Sequence, residues 1–312
     1  MSDLTDKLRG VVPPVVTPFT PDGAVDHGSL ERVVERLLAA GVDGIFALGS
    51  TAEVGYLTDA QRVEVVSRIV QTVGGRVPVL AGAIEITAAR VAERARDLEQ
   101  AGVDGVVATG PFYALNDEAE YAEHFRHVAA AVAVPLIAYD VPVRVNIKLS
   151  PALLVSLGQE GVICAVKDSS GDDVTFRRLI AANEEAGRPL RLFTGHEMVV
   201  DAMALAGADG VVPGLANVDP DGYVRLWRAA TLGRWDEAVQ EQEALNGLMA
   251  IAGVAVGRSL DAAGVGAFKA AMHHLGQIDH PTMAFPVRAL DGEARAKVEQ
   301  IVDRCGLAVV PA

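Results

Sequence analysis

Cysteine and lysine are both scarce in this 312-residue chain, and each scarcity narrows what it can be. The two cysteines, Cys164 and Cys305, cannot build a disulfide framework, and their spacing fits no zinc pattern. Cys164 lies in the apolar run GVICAV and reads as a buried, inert thiol. Lys and Arg number 27 against 41 Asp and Glu, a net charge of −14. That balance argues against nucleic acid and anionic membrane surfaces, which both recruit clustered cations. The opening MSDLTDKLRG lacks the apolar core of a secretory leader. The longest weakly polar run, GLMAIAGVAVG, is too short and too rich in glycine to cross a bilayer. A soluble cytoplasmic protein is expected, with no membrane partner. The seven histidines suggest no metal site. HEMVV at 196–200 lacks the second histidine of a zinc helix, and His273 and His274 are adjacent, so they face different ways on a helix.

What the chain does have is repetition. AGVDGIFALG (40–49), AGVDGVVATG (101–110) and AGADGVVPGL (206–215) are near copies. The first Gly suits a left-handed helix end, Asp-Gly suits a tight turn, and the apolar run suits a strand covered on both faces. Strands are expected near 11–17, 43–49, 77–82, 104–109, 134–139, 161–167, 190–194 and 209–213. Amphipathic helical spacing fills the gaps, as in HGSLERVVERLLAAG and in TDAQRVEVVSRIVQTVG with Thr58 as its N-cap. Eight strands alternating with helices mean parallel strands joined by crossovers. An open dinucleotide-binding sheet is disfavoured, because PPVVTPFTPDG carries no glycine-rich phosphate turn after the first strand. The expected fold is a (β/α)8 barrel over residues 1–218. Residues 219–312 are expected to supply the closing helix and a C-terminal helical appendix near 219–231, 233–250, 262–274 and 291–305. No Ser-, Pro- or Gly-rich linker marks it off as a separate domain.

Barrel chemistry belongs at the C-terminal ends of the strands. Of the five lysines, Lys7 lies in a polar tail, Lys148 in a loop, and Lys269 and Lys297 in helical patterns; Lys167 alone ends an apolar strand, GVICAVK. A poorly solvated amine is easier to neutralise, and a neutral amine can form a Schiff base with a ketone. The alternative is a lysine that reaches solvent or pairs with Asp168. Strand five ends in Tyr139, whose phenol could move protons; taken singly, it also reads as a core tyrosine with a satisfied hydroxyl. Strand two ends in GSTAE, where Gly49 permits close approach and Ser50 and Thr51 offer hydroxyls and N–H groups for a carboxylate.

The constellation resembles the dihydrodipicolinate synthase and N-acetylneuraminate lyase superfamily of class I aldolases. The segments that carry the resemblance are GVVPPVVTPFTPDGAVD, GSTAE followed by YLT, GPFYAL, AYDVPVR, GVICAVKDSSGD, FTGHE and AGADGVVPGLAN, with VGAFKAAM in the tail. They span nearly the whole chain. The resemblance implies that Lys167 forms a Schiff base with pyruvate or another 2-oxo acid, with no external cofactor, and that Tyr139 relays protons. It implies that Ser50 and Thr51 bind the pyruvyl carboxylate, with Ser50 bridging to Tyr139, and that Val212 holds the pyruvyl group by its backbone. Tyr113 is implied to reach a neighbouring subunit's site, which makes the protein a homo-oligomer, a dimer or a tetramer. Arg144 is implied to hold the carboxylate of aspartate semialdehyde, a task for which Arg geometry is suited.

Several residues depart from the synthase pattern. Ala52 precedes Glu53 where Gly is usual, Ser50 stands where Thr is usual, and Asp140 follows Tyr139 where Asn is commoner. GAIEIT puts Ile84 and Glu85 near the rim, and His196 and Glu197 follow strand seven, where they could touch a polyol or cap a helix. A carboxylate-rich rim would favour hydroxyl groups over a second anion. Arg144 and the resemblance nonetheless make condensation of pyruvate with aspartate semialdehyde the expected activity. The alternatives are a 2-keto-3-deoxy sugar-acid aldolase or dehydratase, an N-acetylneuraminate lyase-like enzyme, and a non-catalytic 2-oxo-acid-binding barrel.

Overall fold

The computed structural model describes residues 2–309. In chain order the elements are α1 (Ser2–Lys7), β1 (Gly10–Val11), α2 (His27–Ala40), β2 (Ile45–Ala47), α3 (Asp59–Val73), β3 (Val79–Gly82), α4 (Ala88–Gln100) and β4 (Gly105–Ala108). There follow α5 (Glu118–Ala129), β5 (Leu136–Asp140), α6 (Pro142–Val145), α7 (Pro151–Gln159), β6 (Ala165–Asp168), α8 (Asp173–Glu185), β7 (Arg191–Thr194), α9 (Val200–Ala206) and β8 (Gly210–Val211). The chain ends in α10 (Pro220–Thr231), α11 (Trp235–Met249), α12 (Leu260–Ala263), α13 (Val265–His274) and α14 (Gly292–Arg304). All eight expected strands are present, in the order β1-β8-β7-β6-β5-β4-β3-β2. A backbone bond from the Asp43 N–H to the Val11 oxygen, 2.8 Å, joins the two ends of that series. The fold is a (β/α)8 barrel with a C-terminal helical appendix.

The chain forms two compact units. One comprises Met1–Val12, Asp43–Phe46 and Val77–Val212; the other comprises Pro13–Val42, Ala47–Arg76 and Pro213–Ala312. The first holds all the strands except the last residue of β2. Its core gathers Val12, Phe46, Leu80, Val107, Ile137, Tyr139, Ala165, Phe193 and Val212. β1 is shorter than the apolar pattern suggests, because Pro13 and Pro14 have no N–H to give to a ladder.

The thrice-written motif has a sharper role than a tight turn. Its first glycines, Gly41, Gly102 and Gly207, have φ of 87°, 88° and 108°, the left-handed ends of α2, α4 and α9. Its aspartates reach sideways to the preceding strand. Asp43 accepts the Val11 N–H, Asp104 that of Val79 and Asp209 that of Leu192, each at 2.8 Å. Each aspartate also donates its own N–H to that same residue's carbonyl, again at 2.8 Å. Its second glycine is there for space: a Cβ on Gly210 would run into the Gly10 carbonyl oxygen and the Phe193 ring.

The second unit joins α2, α3 and the loop after β2 to the appendix. α3 starts at a capping box made by Thr58 and Gln61 and ends on Gly74 at φ 56°. α2 starts with Asp26 accepting the Ser29 N–H. The expected helix near 262–274 is two helices, α12 and α13, abutting at Gly264.

Candidate active site

The first unit brings together Lys167 and Tyr139. Strands β5 and β6 run parallel in a register that sets Tyr139 beside Lys167 and Asp140 beside Asp168. Successive side chains on a strand leave on opposite faces, so Tyr139 and Lys167 share one face and the two aspartates share the other. Lys167 is 7 % exposed. Its Nζ lies 4.0 Å from the centre of the Tyr139 ring and 5.0 Å from that of Phe46. Phe46 meets Tyr139 edge to face at 6.3 Å. An amine against aromatic walls is poorly hydrated, which is what a nucleophilic amine requires. Phe193 is in register with Lys167 on its other side. Val212, just beyond β8, is buried and gives its N–H to the Thr194 oxygen at 2.8 Å.

The alternative partner for Lys167 is already engaged. Asp168 accepts a 2.8 Å bond from Lys148 Nζ, which also bonds the fully buried Asp140. Lys148 is therefore not the plain loop lysine of the sequence pattern. Burial pushes the Asp140 carboxyl up to about 6 although Lys148 pulls it down. A signal for this cluster was present in the sequence. Two acids immediately follow the two reactive residues on paired apolar strands, and buried acids at one register need a cation.

Other predicted residues separate into distinct surroundings. Arg144 is exposed in the last turn of α6. Tyr113 is 87 % exposed and Leu115 97 %, on the loop between β4 and α5. Glu85 is buried and pairs with Arg90 at 3.1 Å. His196 Nδ1 lies 3.0 Å from both oxygens of Asp173. With Glu85 paired to Arg90, the excess negative charge expected at the rim is reduced. Cys164 is buried, and burial pushes its thiol up to about 11, the inert state expected of it.

The second unit carries the loop that follows β2. Gly49 leads into a 3₁₀ turn over Ser50–Ala52, with Ser50 and Thr51 half-buried. Leu48 at φ 53° and Glu53 at φ 58° flank the turn, both left-handed without being glycine. Such strain persists only where surrounding contacts impose it. Thr17 Oγ1 donates to the Ala52 oxygen at 2.9 Å. Tyr56 donates its hydroxyl to Asp261 at 2.8 Å. Glu53 binds Lys269 of α13 through Oε1 and accepts the Ala284 N–H through Oε2 at 2.8 Å. Both side chains of that ion pair are fully buried. Lys269 Nζ also donates to the Thr282 oxygen at 2.9 Å and lies 4.3 Å from the centre of the Phe19 ring. The sequence pattern placed Lys269 on a helix but did not disclose this partner.

Residues 7–305 match the family model described as the Dihydrodipicolinate synthetase family. An uncharacterized DapA-like lyase of Halobacterium salinarum is 34% identical over 300 residues, covering 96% of this chain and 95% of that one. The 4-hydroxy-tetrahydrodipicolinate synthase of Phenylobacterium zucineum is 32% identical, covering 96% and 98%. A prophage protein of the dihydrodipicolinic acid synthase family from E. coli K12, solved in complex with pyruvate, superposes with a TM-score of 0.90 at 27% identity, covering 96% and 99%. Among the described residues no helix is long and apolar enough to cross a membrane. The chain belongs to the dihydrodipicolinate synthetase family and is a lyase of the class I aldolase type.

Proposed function

We propose that this lyase acts on pyruvate or a related 2-oxo acid through a Schiff base on Lys167, and that it condenses pyruvate with aspartate semialdehyde. The observation that carries the reading is the in-register pair of Lys167 and Tyr139, with the amine buried against aromatic rings. A binding barrel without catalysis would need neither the amine nor the phenol.

In this reading the Lys167 amine adds to the C2 carbonyl of pyruvate. Loss of water leaves a protonated imine, which withdraws electrons from C3. A C3 proton leaves, the resulting enamine attacks the aldehyde carbon, and hydrolysis of the imine frees Lys167. Tyr139 carries protons in and out. Gly49, Ser50 and Thr51 hold the pyruvyl carboxylate with N–H and hydroxyl donors. Val212 has committed its N–H to Thr194, so its carbonyl is the backbone group offered to substrate. Arg144 takes the carboxylate of the acceptor. Tyr113, exposed on its loop, reaches a neighbouring copy in a homo-oligomer, a dimer or a tetramer. No external cofactor takes part.

A second reading is a 2-keto-3-deoxy sugar-acid aldolase or dehydratase, or an N-acetylneuraminate lyase-like enzyme. Ser50 and Ala52, which depart from the synthase pattern in the carboxylate loop, favour it. The test has two parts. Pyruvate with borohydride should add one reduced pyruvyl mass to the peptide containing Lys167; active protein unmodified there ends the Schiff-base reading. A panel then offers pyruvate with aspartate semialdehyde, and the sugar acids in the cleavage direction, to wild type and Arg144→Ala. Loss of the Arg144 contact should cost roughly 1.5–3 kcal/mol, about ten- to a hundred-fold in kcat/KM, with the carboxylated acceptor alone. Cleavage of a keto-deoxy sugar acid without consumption of the semialdehyde replaces the first reading with the second.

A further inference from the structure

We infer that Lys148 is a positioning residue for the reactive pair, acting as a cationic clamp behind the strands that carry Tyr139 and Lys167. The inference rests on the Schiff-base reading of Lys167. Asp140 has no exposure and Asp168 only 4 %. They sit opposite each other in the β5–β6 register, one residue beyond Tyr139 and Lys167. Two carboxylates confined there would repel and push the strand ends apart. Lys148 Nζ bonds both, Asp168 Oδ2 at 2.8 Å and Asp140 Oδ2 beside it.

The remaining oxygens of both acids are also committed. Asp140 Oδ1 accepts the Leu149 N–H at 3.2 Å, and Asp168 Oδ1 accepts the Ser170 N–H at 2.8 Å and its hydroxyl at 2.6 Å. The main chain follows the same line: Ser169 N–H donates to the Asp140 oxygen at 2.8 Å and Gly195 N–H to the Asp168 oxygen at 2.6 Å. A loosened clamp therefore moves the ends of β5, β6 and β7 together. The reactive side chains leave the same two strands one residue earlier, on the face away from the clamp, so strand separation translates into separation of phenol and amine. The clamp touches no substrate. It acts through the spacing of the two groups that do.

Asparagine at 140 with no cation at 148 removes one of the two facing charges, and with it their repulsion. Its amide oxygen replaces the acceptor for Leu149. This compensation separates a clamp from ordinary packing. In Lys148→Met, the rate of borohydride trapping of pyruvate on Lys167 should fall roughly ten- to a hundred-fold, through kcat with little change in KM, in protein folded by circular dichroism. In Asp140→Asn/Lys148→Met the rate should return to within about three-fold of wild type. A folded Lys148→Met with the wild-type trapping rate overturns the inference, as does a double variant as slow as the single. Should Lys148→Met not fold, Lys148→Gln takes its place, and the same two results overturn the inference. Failure of wild type to trap at Lys167 strikes the proposed function instead, so the two failures are distinct.

Discussion

Replacing Lys269 by methionine would leave the Glu53 carboxylate inside the second unit with no cation. The Ala284 N–H is then its remaining described donor. Breaking a fully buried pair by removing one partner costs about 3–5 kcal/mol, because the other charge stays desolvated. An unfolding entropy of roughly 2.1 cal/mol/K per residue over 312 residues amounts to about 0.65 kcal/mol/K. Lys269→Met should therefore lower Tm by about 5–8 °C. The double variant Glu53→Gln/Lys269→Met keeps the acceptor for Ala284 and removes both charges. It should lie within about 2 kcal/mol of wild type, because a buried pair gains little net over neutral groups of similar shape. Thermal unfolding by calorimetry and urea unfolding by circular dichroism, on all four members of the cycle, give the coupling energy. A single variant within about 1 °C of wild type by that scale, or a double variant equal to the sum of the singles, would refute the reasoning.

Tyr139→Phe should cut turnover by about 10²–10³, the usual size for a lost general acid or base, and steady-state kinetics at saturating pyruvate would show it; unchanged turnover would assign proton transfer elsewhere. His124 is buried, gives its Nε2–H to the Thr109 oxygen at 3.0 Å and leaves Nδ1 without a partner among the described residues, and burial holds its pKa down to about 4. The unfolded chain therefore takes up this proton first, so the stability His124 contributes is full above about pH 6.5 and is lost as the pH falls towards 4. At pH 4.5 the loss is about 2–3 kcal/mol. Unfolding free energies from urea titration at pH 7 and 4.5 should differ less in His124→Gln than in wild type by about that amount, and equal differences would sink the assignment. Asp140, raised to about 6, acts with the opposite sign: its contribution is full below about pH 4 and is lost as the pH rises through 6.

Local chemistry made most of the fold legible. Apolar runs located all eight strands, three of them behind helix-ending glycines, and side-chain caps such as Thr58 located helix starts, because each signal lies within a few residues of what it specifies. Lys167 and Tyr139 were legible for the same reason, since each ends an apolar strand. Partners distant in the chain were not. Glu53 and Lys269 are separated by 216 positions, and nothing near either names the other. Lys148 looks like a loop residue until β5 and β6 set Asp140 and Asp168 side by side. The repeated aspartates read as turn residues because Asp-Gly serves turns well; their sideways bonds depend on which strand lies next to them. The proline pair after β1 was visible, and its missing N–H groups account for the short strand.

The three sideways aspartates bear on how a closed barrel counts. Closure makes the total stagger of the strands a whole number that cannot drift, so a slip at one joint must be repaid at another. Asp43, Asp104 and Asp209 each grip one residue of the neighbouring strand by both its N–H and its carbonyl. A one-residue slip there breaks both bonds and turns the side chains to the wrong face. Three of the eight offsets are thus pinned individually, at β1–β2, β3–β4 and β7–β8. The other five need only share the remainder, β5–β6 among them, and that is the joint whose offset sets phenol against amine.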